Sequence, residues 1–151
     1  MPISAYLQGI RDRVGHDLLL VPAVAALIHD AGGRILLEVR SDDGQWGLPA
    51  GAIDPGEGPA DAVRREVWEE TGLRVEPRHV VSVTGPHPAV YPNGDRVEYT
   101  SILWWCDVVG GVLDARDGES SGFAWVSPED VPPLGYPAAV FRWRPGMPPV
   151  F

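Results

Sequence analysis

Residues 59 to 71 run from Pro59 to Thr71 with no further proline and no glycine, in a chain that holds 16 prolines and 18 glycines. Proline fits the first turn of a helix, where its missing N–H is no loss, and Gly72 just beyond is the residue type that ends one. The segment therefore predicts a helix, with Ala60, Val63 and Val67 on an apolar face and acids on the other side. At about 100° per residue, Glu66, Glu69 and Glu70 fall within roughly one 100° arc. Three carboxylates so placed repel one another, and the repulsion raises their pKa values unless cations neutralise them. Hard oxygen ligands select Mg²⁺, with Mn²⁺ as a substitute, over softer metals. A solvated acidic face is the ordinary reading of such a run, and Glu69-Glu70 alone would not exceed it.

Around this helix the pattern alternates strands and turns. Ser4 caps a first helix over residues 4–14, with Leu7, Ile10 and Val14 at helical spacing and Gly15 as its stop. Leu18 to Ile28 and Arg34 to Arg40 read as a β-hairpin about Asp30-Ala31-Gly32-Gly33. Val80 to Val83 and Val97 to Val109 read as strands separated by a Pro- and Gly-rich loop, Gly85 to Asp95, and Phe123 to Val126 as another. Ser127-Pro128-Glu129-Asp130 reads as a capped short helix stopped by Pro132-Pro133. The Pro-rich tail, residues 136–151, is either mobile or a strap, with Phe141, Trp143 and Phe151 exposed and able to cover the core or a partner subunit. The expected class is α/β (α+β), a mixed β-sheet sandwiched between α-helices in one domain over residues 1–151.

The net charge of −9, with twelve arginines and no lysine, argues against binding DNA and counts against RNA, whose backbones attract clustered cations. Small phosphorylated ligands remain compatible, because a divalent cation neutralises carboxylates and phosphates together. No stretch approaches the roughly 20 apolar residues of a membrane span, and no basic-then-apolar leader opens the sequence, so no membrane association and a cytoplasmic location are expected. Cys106, the one cysteine, lies in the run Ile102 to Cys106 and reads as a core thiol.

Gly51, Glu57, Arg65, Glu66, Val67, Glu69, Glu70, Gly72 and Leu73 stand at the spacing G-x5-E-x7-R-E-U-x-E-E-x-G-U, where U is bulky and aliphatic. The segment 51–73 resembles the signature of the Nudix (MutT-like) hydrolases. That resemblance implies Mg²⁺-dependent cleavage of a diphosphate in a nucleoside diphosphate linked to another moiety: a nucleotide sugar, an ADP-ribose-like compound, a dinucleoside polyphosphate or a nucleoside triphosphate. It implies Glu66, Glu69, Glu70 and the Gly51 carbonyl as metal ligands, with Glu57 and Arg65 bracing loop and helix, and as base either one of the three helix carboxylates or an acid from a late loop, which otherwise completes the metal site. Asp117-Gly118-Glu119 occupies such a position, and Glu119 is the preferred candidate over Asp117. Family habit adds a homodimer.

Outside the box, Trp46-Gly47-Leu48-Pro49 and Tyr91-Pro92-Asn93-Gly94-Asp95 are similar to a bacterial Nudix subgroup, which commonly has Gly-Gly where this chain has Ala50-Gly51. Trp46, Tyr91, Asn93 and Tyr99 are candidate substrate contacts, and Arg40 and Arg96 candidate phosphate partners. Asn93-Gly94 reads equally well as a turn, and His87 as a solvated loop residue. Two alternatives stand beside catalysis on a small nucleotide: a non-catalytic nucleotide-sensing module, which the intact box acids argue against, and an RNA 5′-end pyrophosphohydrolase.

Overall fold

The computed structural model describes residues 3–116 and 118–151. The first helix, α1 (Ala5–Val14), starts where its cap requires: the Ser4 Oγ accepts from the Leu7 N–H at 3.2 Å. Among the described residues, seven strands follow in one mixed sheet: β1 (Leu19–His29), β2 (Ile35–Arg40), β3 (Trp46–Gly47), β4 (Ala50–Ala52), β5 (Leu73–Val90), β6 (Arg96–Gly111) and β7 (Ser120–Val126). The order is β3-β2-β1-β6-β5, with β4 also on β1 and β7 on β2. α2 (Pro59–Thr71) lies between β4 and β5, bounded as its sequence requires.

β1 is the axis of the sheet. It runs parallel to β6 in unbroken register from Leu19↔Val97 to His29↔Asp107. A strand buried on both faces shows a continuous apolar run in place of alternation, and Ala23 to Ile28 is such a run. Val24, Ala26 and Ile28 face α2, where they meet Ala62, Val63 and Val67. Ala25 and Leu27 face the opposite layer. The expected hairpin of β1 with β2 pairs only at its base, His29↔Ile35, because β1 is engaged by β4 and β6 while β2 pairs with β7 from Ile35↔Val126 to Arg40↔Ser120.

Two expectations need correction. The loop foreseen from Gly85 to Asp95 is mostly strand: β5 continues to Val90, and only residues 91–95 form the turn, closed by Tyr91 N–H to Asp95 O at 2.9 Å. Proline is excluded from central strands because it cannot donate to the ladder, yet β5 is an edge strand, and register shifts next to Pro77 and between Thr84 and His87 absorb its prolines. His87 is thereby a half-buried strand residue, bonded to Thr84 Oγ1 at 2.9 Å, and not a loop residue.

The tail is a strap. Val140, Phe141 and Trp143 are buried against Leu27, Ile35, Val81 and Trp105, and only Phe151 of the three expected exposed aromatics is exposed. The Val150 N–H bonds Val81 O at 2.8 Å, fastening the tail beside β5. The sandwich therefore has α2 on one face and the C-terminal segment on the other, where two short 3₁₀ turns, Pro128–Asp130 and Ala138–Arg142, replace a helix that the prolines forbid. Cys106 is fully buried, which pushes its thiol up to about 12.

α1 closes the sheet where β1 and β6 begin, with Leu7 against Val21 and Val97. Its buried Arg11 donates to Gly15 O (3.0 Å), Asp17 O (2.5 Å) and Arg96 O (2.8 Å), tying helix to strand. Trp143→Ala removes the largest side chain of the strap from a packed interface, and chemical denaturation is expected to show a loss of about 3 kcal/mol.

Candidate active site

α2 delivers its carboxylates to one side because β4 lies directly against it. Gly51 pairs with Val24 in β4, and a methyl group added at Gly51 would overlap the Glu66 carboxyl carbon and both its oxygens. The glycine thus gives the Glu66 carboxyl its place by close approach, and any larger residue there would displace that carboxyl. Glu70, also buried, accepts from the Ala50 N–H at 3.1 Å, so α2 is stitched to β4 through the residue beside Gly51. Glu69 is exposed at the edge.

Arg65 organises the cluster. Its Nε and Nη2 hold the two oxygens of Glu57 at 2.6 and 2.8 Å, its Nη2 donates to Ala52 O at 3.1 Å, and its Nη1 reaches Glu66 Oε1 at 2.8 Å and Glu69 Oε2 at 3.2 Å. Glu57 in turn accepts from the Asp54 N–H at 2.9 Å. One guanidinium therefore links the loop before α2 to β4 and to two helix acids. Arg65 thus bridges Glu66 and Glu69, and with the side chains so placed no three His, Cys, Asp or Glu among the described residues are gathered to hold an ion.

Electrostatics separate these carboxyls. The Arg65 guanidinium holds Glu57 below the usual carboxylate range, against a smaller opposing effect of burial. Glu66 goes the other way: burial pushes it up to about 7, only partly offset by Arg65, with Glu69 and Asp54 adding repulsion. Because the folded protein holds that proton more tightly than the unfolded chain, ionising Glu66 drains stability as pH rises from 4.5 towards 7. Its Oε2 is buried with no hydrogen-bond partner among the described residues. A buried carboxylate oxygen with no partner among the described residues, packed against Gly51 on the helix face that also carries Glu69 and Glu70, suits a hard cation, so the residue types present fit the divalent metal that this arrangement of acids implies.

The site opens into a cavity of about 1300 Å³ lined from every quarter of the fold: Leu7 and Arg11 of α1, Glu38 and Arg40 of β2, the α2 acids, Tyr91 and Tyr99 of the β5–β6 hairpin, and Arg116 and Glu119 of the loop before β7. The Glu119 carbonyl accepts from the Ser41 N–H at 2.7 Å, which places this loop beside the end of β2. Asp117 lies outside the described residues. Tyr91 and Tyr99 share a hydroxyl–hydroxyl bond of 2.5 Å at the wall, and burial raises the Tyr99 phenol. Asn93 lines the cavity too, although its amide is engaged with Asp95 in the turn (3.1 and 3.0 Å). Arg40 lines it with its guanidinium held by Asp42 at 3.1 and 2.8 Å, and Arg40 keeps Asp42 down at about 2. Trp46, on the short strand β3, and Arg96, at the start of β6, are exposed and lie outside the cavity lining.

Sequence reasoning missed three residues that line the same cavity. Glu38 is buried there and accepts from Ser120 Oγ at 2.8 Å. An acid in the otherwise apolar run 35–39, two positions from Leu36 and so on the α2 face, was the available signal. Trp68 and Arg116 are the others, and their pairing was not legible because 48 positions of sequence separate them.

Comparison with known proteins agrees with this geometry. The NUDIX domain matches residues 19–145. A MutT-like protein of Streptomyces ambofaciens is 38% identical over 109 residues, 72% of this chain and 65% of that protein. The nucleoside triphosphatase NudI of Escherichia coli is 31% identical over 116 residues, 72% of this chain and 82% of that one. The crystal structure of an ADP-ribose pyrophosphatase from Streptococcus suis superposes with a TM-score of 0.64 at 30% identity, covering 81% of this chain and 87% of that one. The chain belongs to the Nudix domain family, whose members generally use divalent metal ions, and is a hydrolase acting on pyrophosphate bonds.

Proposed function

We propose that the chain is a Mg²⁺-dependent hydrolase that cleaves the diphosphate of a small nucleotide derivative, a nucleoside diphosphate bearing a further moiety. The observation that carries the reading is the buried Glu66 Oε2, packed against Gly51 and without a hydrogen-bond partner among the described residues. Glu66, Glu69, Glu70 and the Gly51 carbonyl would hold the cation, an all-oxygen set that suits Mg²⁺ and accepts Mn²⁺. When bound, the cation polarises the phosphoryl oxygens and lowers the pKa of attacking water. The names of the relatives, a nucleoside triphosphatase and an ADP-ribose pyrophosphatase, support a small nucleotide substrate.

The chain's own groups do the rest. Arg65 stays on Glu57 through its paired bonds and so fixes the distance between α2 and the loop that precedes it. Glu66 is almost wholly buried, so its charge, when ionised, would be felt strongly by a cation beside it. Glu119, on the loop before β7, lines the same cavity and would accept the proton of the attacking water at a carboxylate oxygen. Tyr91 and Tyr99 offer ring faces and hydroxyls to the base or sugar.

Three outcomes test this assignment. In Mg²⁺, Glu69→Gln is expected to lower the phosphate-release rate by at least about 100-fold, the scale of losing a group that stabilises charge in the transition state; a rate equal to wild type would remove Glu69 from the catalytic set. Gly51→Ala drives a methyl group into the Glu66 carboxyl and should abolish Mg²⁺ binding in calorimetry while the circular dichroism spectrum persists. Glu57→Gln should destabilise the metal-free protein by about 1 kcal/mol at pH 7. Since Glu57 is depressed in the folded state, its contribution is complete above 4.5 and is lost as pH falls through the folded value. Urea titrations of the pair should therefore converge below that point.

A further inference from the structure

Four arginines line the cavity, and three of them are already engaged. Arg11 is consumed by the carbonyls of Gly15, Asp17 and Arg96, Arg40 by Asp42, and Arg65 by Glu57, Glu66 and Glu69. Arg116 differs: it makes no hydrogen bond or ion pair to any described residue, in a chain where 21 acids outnumber 12 cations. Its guanidinium lies instead over the Trp68 indole, 4.0 Å from the ring centroid, and Arg74 approaches the same ring at 4.4 Å.

The local structure holds Arg116 there. A side chain at the left-handed Gly72 that ends α2 would meet the Val112 carbonyl first, at 2.5 Å, and then Arg116 Cδ at 3.1 Å, so the arginine stem lies close over the end of the helix. The Asp114 N–H bonds Thr71 O at 2.7 Å on one side of Arg116, and Ser41 Oγ bonds Gly118 O at 2.9 Å on the other. Stacking on an aromatic ring uses the face of a guanidinium and leaves its N–H edge available, and that edge is the one that matches phosphate oxygens two at a time.

We propose that Arg116, laid over Trp68 in the wall of the cavity, seats the terminal phosphate of the substrate, which makes nucleotides ending in a free phosphate, such as nucleoside triphosphates, the preferred class over nucleotide sugars. This rests on the diphosphatase reading above and sharpens it. A terminal phosphate presents three oxygens and nearly two charges at neutral pH, whereas each phosphate inside a diphosphate bridge carries one charge and is covered on both sides. A stacked, edge-exposed guanidinium distinguishes the two.

The test compares wild type with Arg116→Gln and Arg116→Lys on a nucleoside triphosphate and on a nucleotide sugar, both with Mg²⁺. Arg116→Gln should raise KM for the triphosphate about tenfold, the scale of one lost charge-assisted contact, and leave the nucleotide sugar within about twofold; Arg116→Lys should fall between. Calorimetric titration with inorganic tripolyphosphate in Mg²⁺ reads the same contact without turnover, and Arg116→Gln should bind it about tenfold more weakly. Equal changes on the two substrates, wild-type preference for the nucleotide sugar, or tripolyphosphate affinity that is unmeasurable or the same in both proteins would overturn the proposal. A chain that hydrolyses neither substrate would sink the diphosphatase reading, and the tripolyphosphate titration would still decide on Arg116.

Discussion

A single guanidinium carries the geometry of the site. Arg65 spans Glu57 on the loop, the Ala52 carbonyl on β4 and two acids of its own helix. Without that cation, packing Glu66 against Gly51 would place an ionised group in a desolvated cradle beside Glu69 and Asp54, an arrangement that burial already disfavours. With it, the acids are held in place ahead of any ligand. The two carboxyls that Arg65 touches most closely are then pushed in opposite senses, Glu57 down by the contact itself and Glu66 up by burial. The first behaves as a fixed structural anion, and the second as a group whose charge favours the arrival of another cation.

The sheet makes this arrangement rigid. β4 is only three residues long, yet it is locked to β1 through Ala23↔Ala52, Val24↔Gly51 and Ala25↔Ala50, and β1 is the strand most deeply enclosed by its neighbours. A glycine on a mobile loop would not keep its place under a carboxylate to within the tolerance of a hydrogen bond. The apolar contacts of Val63 and Val67 with Val24 and Ala26 press α2 onto the same strand, so the helix and the glycine share one foundation.

Features that depend on neighbouring residues were legible in the sequence. Pro59, Gly72 and the spacing of Glu66, Glu69 and Glu70 placed α2 and its acidic arc, and Ser4 placed the start of α1. What escaped depends on which strand lies beside which. Pro86 and Pro88 read as loop residues because nothing in their neighbourhood reveals that β5 is an edge strand, where proline is tolerated. Whether residues 136–151 are mobile or a strap could not be read from the sequence, because the surface that Val140 and Trp143 cover is assembled from β1, β2, β5 and β6, residues remote from them in the chain. Within the site, Glu57, Arg65 and Gly51 were marked by the resemblance that segment 51–73 bears to a family signature. Glu38 and the Trp68–Arg116 stack required a fold, since strand parity gives meaning to the first and only tertiary contact brings the second together.

The parallel pairing of β1 with β6 carries a kinetic consequence. Leu19 meets Val97 and His29 meets Asp107, so every rung of the central ladder joins positions on the order of 80 residues apart, and the intervening chain must be brought round before the first rung forms. Loop closure of that span is paid in entropy before any of the contacts repay it. The hairpin of β5 and β6 is local by comparison and can assemble early. β4, and with it Gly51, sits on the stretch of β1 from Ala23 to Ala25 that also forms rungs of this ladder with Ser101 to Leu103, so the strand that carries the site is enclosed only by bringing in the distant half of the chain.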